Sequence, residues 1–422
     1  MSYLIGIAGL LFLVFIHELG HFLVAKGVGA RATKFYVGFP PAILKFQRGD
    51  TEYGLGAIPL GGYVRIPGMS RPQPTDLYRV IDAADEARLR RPDDEEDHLT
   101  PAVNAVSAAL AVGPGQARGV IGEARAALER DRELLLAKTY AQAAKDLDRI
   151  TEDVDVTAHW TLAVWKQIAI SVAGPAANVL AAVVILAVAY MVGSPVLRNN
   201  TTVASVSADT PALAAGLQAG DRVVAIAGSP VADGDQLRAR IAASHGASIV
   251  ISVVRGKARV DLPSVAPRLD ASSHRYLLGF TTGADQVGSV SDAPPRAVVH
   301  AVSQSWWVVR ESFAALGGVF TAKGRENVQG PVGIVASSAS AVDQGYYAFE
   351  LAFISLALAI ANMLPILPLD GGHVFWALVG VARGGRPVPR SIIDRAALIG
   401  IAVFALLAIV MANQDIGRLL HP

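Results

Sequence analysis

Cysteine is absent from the 422 residues, so neither a disulfide nor a thiolate metal ligand is available, and any zinc site must be built from histidine and carboxylate. Charge is also scarce: Asp, Glu, Lys and Arg make up 17% of the chain and leave a formal net charge of +1. There is no basic footprint and no RRM, KH or zinc-finger spacing, so nothing points to nucleic acid as a partner. What fills the chain instead is apolar. Hydrophobic residues reach 52%, and the mean hydropathy of +0.40 tilts the balance toward membrane proteins while leaving room for a soluble part.

Four segments have the length and apolarity to span a hydrocarbon core of ~30 Å, which takes about 20 helical residues. They run from Tyr3 to Ala25, Lys166 to Val192, Ala348 to Met363 with a Pro-broken continuation to about Val381, and Ala396 to Met411. The first lacks the basic flank and the A-x-A exit of a signal peptide and carries HELGH where such a peptide is purely apolar, so it reads as a retained span. Lys26, Arg31, Lys34, Lys45 and Arg48 follow it, Arg383, Arg386, Arg390 and Arg395 separate the third and fourth spans, and Met1 to Ile16 has no basic residue. By the positive-inside rule, both termini and the long loop from about Gly193 to Tyr347 face outward.

Residues 1–68 hold the first span and "KFYVGFPPAILKFQRGDTEYGLGAIPLGGYVRI", whose short apolar runs broken by Gly and Pro predict a β-ribbon associated with the membrane. Residues 69–160 are rich in charge and alanine, which predicts a cytoplasmic helical insertion with a flexible part and one or two amphipathic helices in its second half. Residues 161–195 hold the second span. In 196–268, "PALAAGLQAGDRVVAIAG" resembles the core signature of a bacterial PDZ domain, a module that binds an extended peptide at a sheet edge. Residues 269–345 include the tryptophan-bearing stretch 297–320, read as an interfacial amphipathic helix, with a fifth full span as the competing reading that Arg310 and Glu311 near its middle count against. Residues 346–422 hold the last two spans.

The chemistry sits in "FLVFIHELGHFLVAK", residues 12–26. His17 and His21 are four apart and share one helix face, the separation at which two imidazoles hold one zinc ion, and Glu18 beside them is placed to take a proton from water. Three ionisable groups in a span cost roughly 2.5 kcal/mol or more each, so something must compensate. A zinc site explains both the spacing and the burial.

Zinc then needs a third protein ligand if the fourth position is to take water. In "IANMLPILPLDGGHVF", Pro365 and Pro368 break the third span and Asp370 follows, at a depth that matches His17. His373 is the rival ligand, or a residue beside the ligands. Asn362 either holds a substrate backbone or satisfies carbonyls freed by Pro365. In "SVAGPAANVLAAVV", Gly174, Pro175 and Asn178 suit close helix packing, with Asn178 near the zinc as a second reading.

These stretches together resemble the site-2 protease family of zinc intramembrane proteases, which includes the bacterial RseP-type regulators of envelope stress. The resemblance rests on HELGH, "IPLGGYVRI", "AGPAAN", one PDZ-like domain, "GPVGI" at 330–334 and "NMLPILPLDGG" in that order. It implies a polytopic α-helical membrane protein with four transmembrane helices, a β-ribbon and one extracytoplasmic α+β PDZ-like domain, sited in the bacterial inner membrane. It also implies one zinc ion on His17, His21 and Asp370, Glu18 as general base, and a substrate strand added at the ribbon near Gly61 and Gly62. Its substrates would be single-span membrane proteins, an anti-sigma factor first among them, already trimmed outside by a site-1-type protease. Two departures stand out: Pro40 replaces the glycine common in a GFGP stretch, and the 69–160 insertion has no common counterpart. The rival classes are a membrane zinc carrier built on the same residues and a PDZ-like scaffold without activity.

Overall fold

The computed structural model describes residues 1–207, 209–270, 275–316, 331–385 and 388–420. The end of the expected interfacial helix from residue 317 on, Gly330 of the GPVGI stretch and Arg386 lie outside them. The chain forms two compact units, Met1–Ala187 with Val298–Pro422, and Val188–Ala297.

The first unit is mostly helical. Helix α1 (Ser2–Gly27) is apolar around its whole circumference and buries only Gly6, Leu13, His17, His21, Phe22 and Ala25, the pattern of a helix with lipid on its remaining faces. Among the described residues, three helices are long and apolar enough to cross a membrane: α1, α6 (Val164–Val192) and the Arg390–Asp415 part of α13 (Arg390–Leu420). The third expected span is two helices, α11 (Tyr347–Asn362) and α12 (Asp370–Ala382). Pro365 and Pro368 lie between them, where a missing N–H and a fixed φ stop the helix. A short helix, α10 (Pro331–Asp343), runs along α1, so close that a Cβ on Gly6 would lie 3.2 Å from Ser338 Cβ. Its first turn is capped from α13, where the Asp415 carboxylate accepts the Gly333 N–H at 2.8 Å.

Two long antiparallel strands, β1 (Lys34–Arg48) and β2 (Thr51–Arg65), form the ribbon. Residues 34–37 lie beside both 52–55 and 62–65, so the two strands make a small sheet of four segments. Phe35 anchors it on α1, its ring 4.9 Å from that of Phe22 and 5.8 Å from that of Phe15.

The insertion is more ordered than its charge suggests. Helices α2 (Tyr78–Arg90), α3 (Leu99–Val112), α4 (Ile121–Arg130) and α5 (Ala137–Asp153) pack around Leu77, Val80, Val103, Val106, Leu128, Leu147 and Ile150. Alanine explains the difference. Ala83, Ala84 and Ala87 complete the buried face of α2, and their small apolar surface is what the charged residues around them mask in the sequence. Arg91, in the stretch expected to be flexible, is buried and pairs with Asp131 at 2.5 Å and Asp97 at 3.4 Å.

In the second unit, strands β3 (Ser194–Val206), β4 (Arg222–Ile226), β6 (Ile251–Arg255), β7 (Ala258–Asp261) and β10 (Phe280–Val290) form a sheet in the order β10-β3-β4-β6-β7. A two-residue strand, β5 (Ser229–Pro230), pairs with β4, and β8 (Arg268–Asp270) pairs with β9 (Arg275–Leu277). Helices α7 (Pro211–Ala214) and α8 (Gly234–Ala243) supply Ala212, Leu237 and Ile241 to the core over Val203, Val223, Ile251 and Val253. The unit runs past residue 268, the boundary read from the sequence, because β10 pairs with β3 across some 80 residues of chain. Beyond it, α9 (Pro294–Leu316) begins at Pro294.

Candidate metal centre

Helices α1 and α6 meet at small residues. A Cβ on Gly20 would lie 2.5 Å from the Ala173 carbonyl and 2.7 Å from Ala177 Cβ. Next to Ala173, a Cβ on Gly174 would lie 2.3 Å from His21 Nε2 and 2.7 Å from His17 Nε2. Only a residue without a side chain lets α6 press against both imidazoles here. This accounts for the glycine of the AGPAAN stretch. Its role against the two rings carried no signal in the sequence beyond small size.

Each imidazole is steered from behind. The His21 Nδ1 lies 2.7 Å from the Ile170 carbonyl, which only accepts, so Nδ1 carries the proton and Nε2 presents a lone pair. The amide of Asn178, fully buried, lies 3.3 Å from His17 Nδ1, and its Oδ1 has no hydrogen-bond partner. With the amide turned so that Oδ1 meets the Nδ1–H of His17, the oxygen is satisfied and the Nε2 lone pair of His17 is also free. Asn178 is itself held by α11, where Ser355 Oγ donates to its backbone carbonyl at 2.8 Å.

Asp370 arrives from the break between α11 and α12. A Cβ on Gly371 would lie 2.2 Å from the Met363 carbonyl and one on Gly372 2.6 Å from the Leu367 nitrogen, so the glycines let the 363–369 turn fold onto the first turn of α12. That turn directs the Asp370 side chain at the histidines. Its Oδ2 lies 3.1 Å from His17 Nε2 and 3.3 Å from His21 Nε2, and the two Nε2 atoms are 3.2 Å apart.

These three atoms fit a metal ion. Bonds of about 2.0–2.1 Å to a tetrahedral zinc put neighbouring ligand atoms about 3.3 Å apart, and all three separations are close to that. Among the described residues the buried Asp370 Oδ2 has no hydrogen-bond donor, and with the Asn178 amide turned as above both rings carry their proton on Nδ1, away from the three atoms. Among the described residues this is the one group of His and carboxylate side chains that converges closely enough to hold an ion.

A cavity of about 290 Å3 opens on the group, lined by Glu18, Val64, Ile66, Met69, Asn362 and His373 among others. Gly62 touches Glu18, for a Cβ there would lie 2.4 Å from Glu18 Cγ, and Gly61 stacks on the ring of Phe39. Asn362 donates through Nδ2 to the Leu358 carbonyl of its own helix at 3.0 Å, which leaves Oδ1 for the cavity. His373 lines the wall but offers no atom to the converging group.

The sequence profile of peptidase family M50 matches residues 5–407. The chain is 28% identical to the zinc metalloprotease RasP of Geobacillus kaustophilus over 434 aligned positions, covering 96% of this chain and 95% of that protein. It is 27% identical to the zinc metalloprotease Rip1 of Mycobacterium tuberculosis over 404 positions, covering 86% of this chain and 81% of that one. With its apolar helices and its buried His–His–Asp group, the chain belongs to peptidase family M50 and is a zinc-dependent intramembrane metalloprotease of the site-2 type.

Proposed function

We propose that His17, His21 and Asp370 hold one zinc ion and that Glu18 is the general base of a peptide-bond hydrolysis carried out at membrane depth. The observation that carries this reading is the convergence of three donor atoms, from two helices far apart in sequence, at 3.1–3.3 Å. When bound, zinc lowers the pKa of its water toward ~7 and polarises the scissile carbonyl. Glu18 accepts the proton of the attacking water and delivers it to the leaving nitrogen. Its carboxylate is kept in place by the bare backbone of Gly62 against its side chain. Ile170 and Asn178 hold the imidazoles in the tautomers that the ligands require.

The ribbon supports a way of presenting the substrate. Residues 62–65 pair on one side with 34–37, and no described strand pairs on the other; Gly62 lies against Glu18 and Val64 lines the cavity. A spanning helix hides its peptide bonds in i to i+4 hydrogen bonds, so a substrate unwound and added along this edge would expose them to attack. Outward-facing Phe39, Ile43, Leu44 and Phe46 suit a ribbon that lies in lipid.

The α11–α12 pair serves as a fourth, broken span in this reading. Loops rich in Lys and Arg then face the cytoplasm of a bacterial inner membrane, and both termini and the PDZ-like unit face outward. The substrates are single-span membrane proteins, with an anti-sigma factor as the leading candidate, cut outside by another protease before the PDZ-like unit admits them. The test is a set of single-span substrates incubated with purified wild type and Glu18→Gln. Turnover falls by about 10²–10⁴ in the variant while zinc is retained; equal turnover by both would remove Glu18 from the chemistry.

A further inference from the structure

Beside the metal centre lies a second, larger cavity of about 380 Å3, and it is built largely by the insertion. Met69 and His373 line both cavities, so the two adjoin. One wall is the segment leaving the ribbon and the end of α3 at Val112. The opposite wall is Trp376 of α12 and the start of α13. Contacts from both sides fix these walls. Arg65 pairs with Glu152 at 2.8 Å, the Gly68 N–H donates to Asp153 at 2.9 Å, and Arg390 pairs with Asp76 at 2.5 Å.

The lining has the chemistry of a peptide site. Trp160 and Trp376 offer broad apolar faces, and the Arg71 guanidinium lies 5.2 Å over the Trp160 ring. His159, 6% exposed, adds a flat ring to the lining, and burial holds its pKa down to about 4, so the ring is neutral. The described lining holds two arginines, Arg71 and Arg390, and no carboxylate.

Resting on the protease reading above, we propose that this cavity is a second substrate subsite, which takes the flank of the substrate leaving the spanning segment on the insertion's side of the membrane. The flank lies extended, with an apolar or aromatic side chain against the tryptophans. The arginines disfavour lysine and arginine in that flank, so neutral or acidic flanks are selected. The shared walls at Met69 and His373 make the flank the occupant: a chain that passes the metal centre toward the insertion meets this space next.

The test uses the full-length protein in detergent and single-span substrates that share one spanning segment. A Phe-containing neutral flank, a Lys/Arg flank or no flank is placed at each end in turn. The neutral flank at one end lowers KM about tenfold relative to the basic one. Val112→Trp, at an exposed helix end on the rim, removes that difference and leaves the flankless substrate unchanged. Equal KM values for both flanks in wild type, or a preference that survives Val112→Trp, would overturn the subsite. Cleavage of the flankless substrate reports separately on the catalytic reading. Benzoylphenylalanine at Val112 in Glu18→Gln reads occupancy without turnover: crosslinks to the neutral flank support the subsite, and their absence contradicts it.

Discussion

The backbone of Gly174 lies against the ring of His21 so closely that a Cβ would stand 2.3 Å from Nε2. The contact joins the helix that carries two of the proposed ligands to one that carries none. Gly174→Ala therefore pushes either α6 or an imidazole out of place. Displacing a ligand's support typically weakens metal affinity by 10–100-fold, and a loss of about that size is expected for Gly174→Ala. Zinc content after dialysis against graded chelator measures it, and unchanged retention would mean that the helices part without disturbing the rings.

Asn178 acts on His17 from the other side. Asn178→Leu keeps the volume and removes the acceptor for Nδ1–H, freeing the ring to place a proton on Nε2. Zinc affinity should fall by about 10–100-fold. Chelator titrations of the variant and wild type check this, and equal affinity would remove Asn178 from the centre.

The Val188–Ala297 unit has its own acid-sensitive link. Arg255 donates Nε to Asp221 Oδ1 at 2.8 Å and Nη2 to Oδ2 at 2.7 Å, and the Gln218 N–H adds a third bond at 2.9 Å. The guanidinium beside it holds the nearly inaccessible Asp221 carboxyl below the usual carboxylate range. A lowered folded-state pKa stabilises above the unfolded value of about 3.9, and the contribution is lost as pH falls through the folded value. Asp221→Asn should remove about 1.5–3 kcal/mol near neutrality and flatten the acid limb of the stability curve. Hydrogen exchange of β4 and β6 in the full chain reads both effects.

In the insertion, Arg91→Met would leave Asp131, 3% exposed, without its cation. Removing one partner of a buried pair costs about 3–5 kcal/mol, enough to loosen α2 to α5 as a body. Faster proteolysis within 78–153, with α1 and α6 protected, is the expected pattern.

Much of the centre was legible because its chemistry is written in short spacings. His17 and His21 share a helix face by count alone, and Asp370 stands just past two prolines that must break a span. What escaped depends on contacts between distant segments. That Gly174 lies against the rings, that the Ile170 carbonyl orients His21, and that β10 completes a sheet begun 80 residues earlier are facts of packing with no local signature. The insertion escaped for another reason: alanine faces bury well and look bland beside the charges that flank them.

The most direct test of the account is zinc stoichiometry in purified wild type, Glu18→Gln and Asp370→Ala. One zinc per chain in the first two and its loss from Asp370→Ala is the predicted outcome. Full, wild-type-tight zinc in Asp370→Ala would contradict the proposed centre.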